Sequence, residues 1–148
     1  MSKGDVNTIV AALESIQLEG SEAENVYRLY ALLEDFSAIQ GRERAMSALF
    51  GLLERHPDAE IGNPGPITHE LEEIAGYRPC LKASLARVPT CKTVEMVNRI
   101  LNSKLSAQER NEWMLELQHA LKHPLSTEAA RRTASFFIEH QNRKFLTP

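Results

Sequence analysis

His119 and His123 stand four residues apart, the spacing that turns two imidazoles to one side of a helix as in a two-histidine metal site. No glutamate follows His119, so the His-Glu-x-x-His pattern of a zinc hydrolase is not formed. Pro124 places His123 at the end of its helix, where an imidazole interacts well with the helix dipole. His69-Glu70 has no second histidine in register and reads as a first-turn surface position. Glu70, Glu72 and Glu73 crowd one short segment after Pro66, where negative charge suits the start of a helix and also suits a basic partner. Acid and base catalysis would need a companion cleft and base, and no residue of the chain can be named for either. Gly62-Asn-Pro-Gly-Pro66 lacks the lysine of a phosphate cradle and loses two backbone donors to proline, so it is a turn. No Gly-x-Ser-x-Gly elbow is present, and Cys80 and Cys91, with ten residues between them, form no Cys-x-x-Cys pair. The expectation is a chain that is not an enzyme, with no metal, no cofactor and reduced thiols.

The elements that carry these residues are helical. Apolar residues recur every three to four positions almost throughout, and alternating runs of the kind a half-buried strand needs are nearly absent. Eight helices are predicted. The first covers Val6 to Gln17, with Asp5 as cap, and the second runs from the capping box Ser21-x-x-Glu24 to about Ala38, with Val26, Leu29, Tyr30, Leu33 and Phe36 inward. The third follows Gly41 and stops before Pro57. Beyond the turn-rich stretch from Pro57 to Pro66 come short helices over Ile67 to Ala75, Pro79 to Arg87, and Lys92 to Asn102, the last capped by Thr90. A second capping box, Ser106-x-x-Glu109, opens a helix to about Lys122, and the final one spans Thr127 to Asn142. Three helices end alike, at Leu53-Glu-Arg-His-Pro57, Leu85-Ala-Arg-Val-Pro89 and Leu121-Lys-His-Pro124. Those prolines are 32 and 35 residues apart, the period of stacked helical pairs. The fold class is therefore all-α, as a single domain: a HEAT-like superhelix of stacked pairs, or alternatively an irregular helical bundle.

At 148 residues, 43% hydrophobic and 25% charged, the chain can bury a full core without disulfide or metal. Its net charge of −3 conceals an uneven distribution. Fourteen acids face six bases through Arg78, whereas six acids face eleven bases from residue 79 onward. The acidic half suits a basic partner or the chain's own basic half. Direct nucleic-acid binding is not expected, because Lys82, Arg87, Lys92, Arg99, Lys104 and Arg110 are scattered rather than striped. No segment approaches the roughly 20 apolar residues needed to cross a bilayer, and no leader follows Met1, so the expected location is the cytoplasm. Trp113, Tyr27, Tyr30 and Phe137 read as core at helical spacing beside leucines. Phe136 is the exception, since it and Phe137 cannot both point inward.

The middle of the chain resembles a known group. Gly65-Pro66-x-x-His69-Glu70, Gly76-Tyr77, Leu81, Ser84-Leu85-x-Arg87-x-Pro89-Thr90 and Thr93-Val94-x-Met96-x-Asn98-Arg99-Ile100 are similar to small all-helical bacterial immunity proteins. Such proteins accompany polymorphic toxins, including those of contact-dependent growth inhibition. The likeness covers roughly residues 62 to 140 as a diffuse pattern without a single diagnostic motif. It implies a cytoplasmic protein that binds the C-terminal toxic domain of a cognate effector, commonly over its active site. Many such domains are basic nucleases, which an acidic surface attracts. This chain departs from that pattern in being only mildly acidic, with a basic C-terminal half. The alternative is a helical-repeat adaptor or chaperone for another cytoplasmic protein. Oligomeric state stays open.

The helix from Lys92 to Asn102 is the expected interface. Val94, Val97 and Leu101 make an inward stripe, which leaves Glu95, Asn98 and Asn102 on another face. With Glu70 and Glu73 these would line the concave side of the array. Local hydrogen bonding by the two asparagines is the competing account.

Overall fold

Residues 5–146 are described in the computed structural model, and among them there are eight α-helices, two 3-10 turns and no strand. The first four helices are α1 (Val6–Ser15), α2 (Glu22–Leu33), α3 (Met46–Arg55) and α4 (Pro66–Glu72). They are followed by α5 (Tyr77–Arg87), α6 (Cys91–Leu101), α7 (Ala107–Lys122) and α8 (Glu128–Leu146). The all-α expectation is met. Residues 1–4, on which the expectation of a missing leader partly rests, lie outside the described residues.

Local signals set most helix starts. Asp5 accepts from the Thr8 amide at 2.9 Å, and both Ser21/Glu24 and Ser106/Glu109 form reciprocal capping boxes. Thr90 caps α6 by accepting from the Thr93 amide, while Thr127 Oγ1 accepts from the Ala130 amide at the head of α8. The α4 start depends on Gly65, whose φ is +93°; a Cβ there would collide with the Ile61 carbonyl oxygen.

Two expected helices are interrupted. α2 stops at Leu33 because Asp35 turns left-handed (φ +62°), and the chain resumes as a 3-10 turn over Phe36–Ala38 that still buries Phe36. Arg42–Ala45 is likewise a 3-10 turn before α3. α5 opens earlier than expected, at Tyr77, with Pro79 inside its first turn.

α1 packs on α3, α2 on α4, and α3 on α5; α6, α7 and α8 all touch one another, and α5 joins the two groups through α6 and α7. One contiguous core results, running from Leu13, Leu29 and Phe36 through Leu52 and Leu71 to Met96, Trp113 and Leu117. Each such burial is worth about 1.5–3 kcal/mol. The charge asymmetry is partly resolved inside the fold, where Arg87 grips Glu54 at 2.8 Å and Arg99 grips Glu72 at 2.7 Å. No described helix is long and apolar enough to cross a membrane.

Candidate functional site

The five residues expected to share one concave face fall into three separate settings. Glu70 and Glu73 flank Arg42 from the turn before α3: Arg42 Nη2 donates to the Glu73 carbonyl at 3.3 Å, and Nη1 stands 3.8 Å from the Glu73 carboxylate. Glu70 Oε2 is buried without a hydrogen-bond partner. Burial first, and then the neighbouring Glu73 charge, push the Glu70 carboxyl above its usual range.

Asn98 and Asn102 are tied together, but not by a partner. Gln141 of α8 donates its amide to Asn98 Oδ1 at 2.6 Å and to Asn102 Oδ1 at 2.9 Å, while Gln141 Oε1 accepts from Arg110 of α7 at 2.8 Å. Lys144 adds a 3.0 Å bond to Asn102 Oδ1. α8 covers the face of α6 that was expected to be open, leaving Asn98 at 9% exposure and Gln141 at 0%. This corrects the placement of Asn98 at a surface: its polar side chain is buried because another helix supplies its partner. The competing account, local bonding, also misses the source, since Gln141 lies 43 residues away.

Glu95 occupies the third setting, and it is an open one. It lines two adjoining depressions of about 500 and 420 Å3 that share Glu95 and Ala129 and so form one trough. Toward the C-terminal side the trough is walled by Arg132, Thr133, Phe136 and Phe137 of α8. At the other end it meets Glu22 at the head of α2, Cys91 and Lys92 of α6, and the loop from Asp58 to Asn63. Loop and helices are stitched together. Cys91 donates its amide to the Pro57 carbonyl at 3.2 Å, Thr127 Oγ1 donates to Asp58 Oδ1 at 2.7 Å, and Lys92 donates to Glu95 at 2.8 Å and to the Gly62 carbonyl. A larger depression of about 600 Å3, between Asp5 and residues 38–44, borders the first described residue and holds no comparable set of groups.

Aromatic placement differs from expectation on α2. Tyr27 and Tyr30 are 75% and 56% exposed, because the buried face runs through Asn25, Leu29 and Leu33. Asn25 can be buried there since its amide donates to the carbonyls of Gly20 and Glu60. Trp113 is core, with the Lys82 ammonium 4.8 Å from its ring. Phe136 is 59% exposed, held edge-on to Phe137 and stacked on His140.

His123 sits at the end of α7, where Nδ1 accepts from the Leu125 amide at 3.0 Å, so Nε2 carries the proton it donates to the Ala86 carbonyl. No three His, Cys, Asp or Glu side chains converge as metal ligands among the described residues. Burial raises the Cys91 thiol above its usual range, which favours its protonated form. Asp58, Glu60 and Glu22 were not singled out from the sequence, because loop and helix-start acids carry no pattern that marks a trough. Comparison with family models, curated proteins and solved structures finds no match for the chain.

Proposed function

We propose that this protein is a binding protein that neutralises the C-terminal toxic domain of a bacterial toxin, in the manner of the all-helical immunity proteins its middle segment resembles, and that it acts in the cytoplasm. The observation that carries the binding role is Phe136, which stays 59% exposed at the mouth of a trough whose walls are locked by hydrogen bonds. An aromatic exposed at a concave surface and braced by neighbouring rings supplies large contact area at small entropic cost, the property of residues that dominate interfaces. Neutralisation is by occupancy, with no chemical step.

The test is purification of the tagged chain from its native host with washing at about 0.5 M salt, where screening leaves a range of roughly 4 Å and loose charge-driven contacts dissociate. One dominant protein should remain, and it should be toxic when expressed alone. Several unrelated proteins would instead favour an adaptor, and none would end the proposal.

A further inference from the structure

We infer that the trough between α6, α8 and the loop 58–63 receives an arginine-bearing segment of the partner protein. The guanidinium seats among Asp58, Glu60 and Glu22, and an adjoining apolar side chain lies on Phe136. This rests on the protein-binding role above and names the chemistry of the bound segment.

The two ends of the trough differ in chemistry. At the loop end, both hydrogen bonds to Asp58, from Thr127 and from the Cys91 thiol, go to Oδ1, which leaves Oδ2 unengaged among the described residues. No hydrogen bond or ion pair among the described residues engages the side chains of Glu22 or Glu60. The one lysine at this end, Lys92, is already held by Glu95 and the Gly62 carbonyl, so the carboxylates are not neutralised from within. At the opposite end the wall is apolar and aromatic, and it carries Arg132, whose nearest acid is Glu128 at 3.6 Å. A cation entering the trough is therefore drawn to the Asp58 end, where carboxylate oxygens stand unengaged, rather than to the Phe136 end, where Arg132 already sits beside Glu128, and this sets the direction of docking.

Arginine fits better than lysine. Three carboxylates from two elements, one on α2 and two on the loop, present several acceptors to a planar fork, whereas an ammonium is a single strongly hydrated point. Phosphate-bearing nucleic acid is disfavoured by the same carboxylates. Because the hydrogen bonds of Cys91, Thr127 and Lys92 fix the loop before anything binds, little ordering cost is left for the complex.

The test uses 15N-labelled full-length chain titrated with a capped Gly-Gly-Arg-Leu-Gly-Gly peptide, alongside the same peptide with glutamate in place of arginine. Shifts should concentrate at residues 58–62, 91–95 and 129–137 for the arginine peptide only. Glu60→Lys and Phe136→Ser should each weaken binding about tenfold or more, with unchanged melting curves. Glu34→Lys makes the same charge change roughly 18 Å along α2 from Glu22 and should have little effect. The inference is overturned by shifts elsewhere, by equal response to the glutamate peptide, or by no shift at about 1 mM peptide. A toxic partner recovered as described above but bound equally well by both trough variants overturns the docking site and leaves the binding role standing. Peptide docking as described, with no toxic partner recovered, overturns the neutralising role and leaves the docking site.

Discussion

Gln141 donates its side-chain amide to Asn98 at 2.6 Å, joining α8 to α6 through a bond that neither helix could make alone. With Asn102 and Arg110 it completes a polar network that runs from the buried Asn98 to the edge of the contact among α6, α7 and α8. Replacing Gln141 by leucine removes a group that bonds to all three and leaves the buried Asn98 amide oxygen unpaired, at about 2–3 kcal/mol. Urea denaturation should show a lower midpoint at similar slope. An unchanged midpoint would mean that water replaces the glutamine without loss.

The same network changes what Asn98→Ala reports. Were Asn98 a surface contact, the substitution would leave stability intact. With Gln141 behind it, we expect a loss of about 1–2 kcal/mol, so a fall in partner affinity would be confounded by destabilisation. Glu95→Ala is confounded in the same way, because Glu95 holds the nearly buried Lys92 at 2.8 Å; Phe136→Ser, at a side chain 59% exposed, is the cleaner probe.

Asp35 occupies a left-handed backbone conformation at the end of α2. Asp35→Gly relieves the side-chain clash of that conformation while loosening the unfolded chain, for a net gain of about 0.5 kcal/mol. Thermal melts of the two proteins check the sign; a loss would show that the aspartate makes an interaction the backbone strain conceals.

Glu70 predicts a pH dependence. Its folded-state carboxyl is held above the ordinary value of 4.5 by burial and by Glu73, so the folded state binds its proton more tightly than the unfolded chain. This group therefore opposes folding at neutral pH, and the penalty fades as pH falls through the raised value toward 4.5. Glu70→Gln should melt higher than the parent at pH 7, with the gap closing on acidification. Glu109 behaves oppositely: hydrogen bonds from Ser106 hold its carboxyl low, and its contribution is lost as pH falls through that depressed value. A gap for Glu70→Gln that widened in acid would contradict the assignment.

What was legible in the sequence followed from local physics. Ser21-x-x-Glu24, Ser106-x-x-Glu109, Thr90 and Pro57 set helix boundaries through atoms no more than four residues away, and each acts as expected. Asp35 was not legible, because it is neither glycine nor proline and the apolar period continues past it to Phe36. The rotation of α2 that exposes Tyr30 depends on Asn25 finding carbonyls at Gly20 and Glu60, the second of them 35 residues away. Asn98 looked like part of an outer face for the same reason, whereas Asn102 does lie exposed: polarity reports exposure only when no distant group satisfies it. Of the expected site, Glu95 lies in the trough, whereas Asp58 and Glu60 join it only through the path of the loop.

The measurement that bears most directly on the central claim is growth of cells expressing the recovered toxic domain together with this chain, either unaltered or carrying Phe136→Ser and Glu60→Lys. Growth should be restored by the unaltered chain and lost with the double variant, although both melt alike. Absence of rescue by the unaltered chain, at a level where it is folded and abundant, would contradict neutralisation by binding.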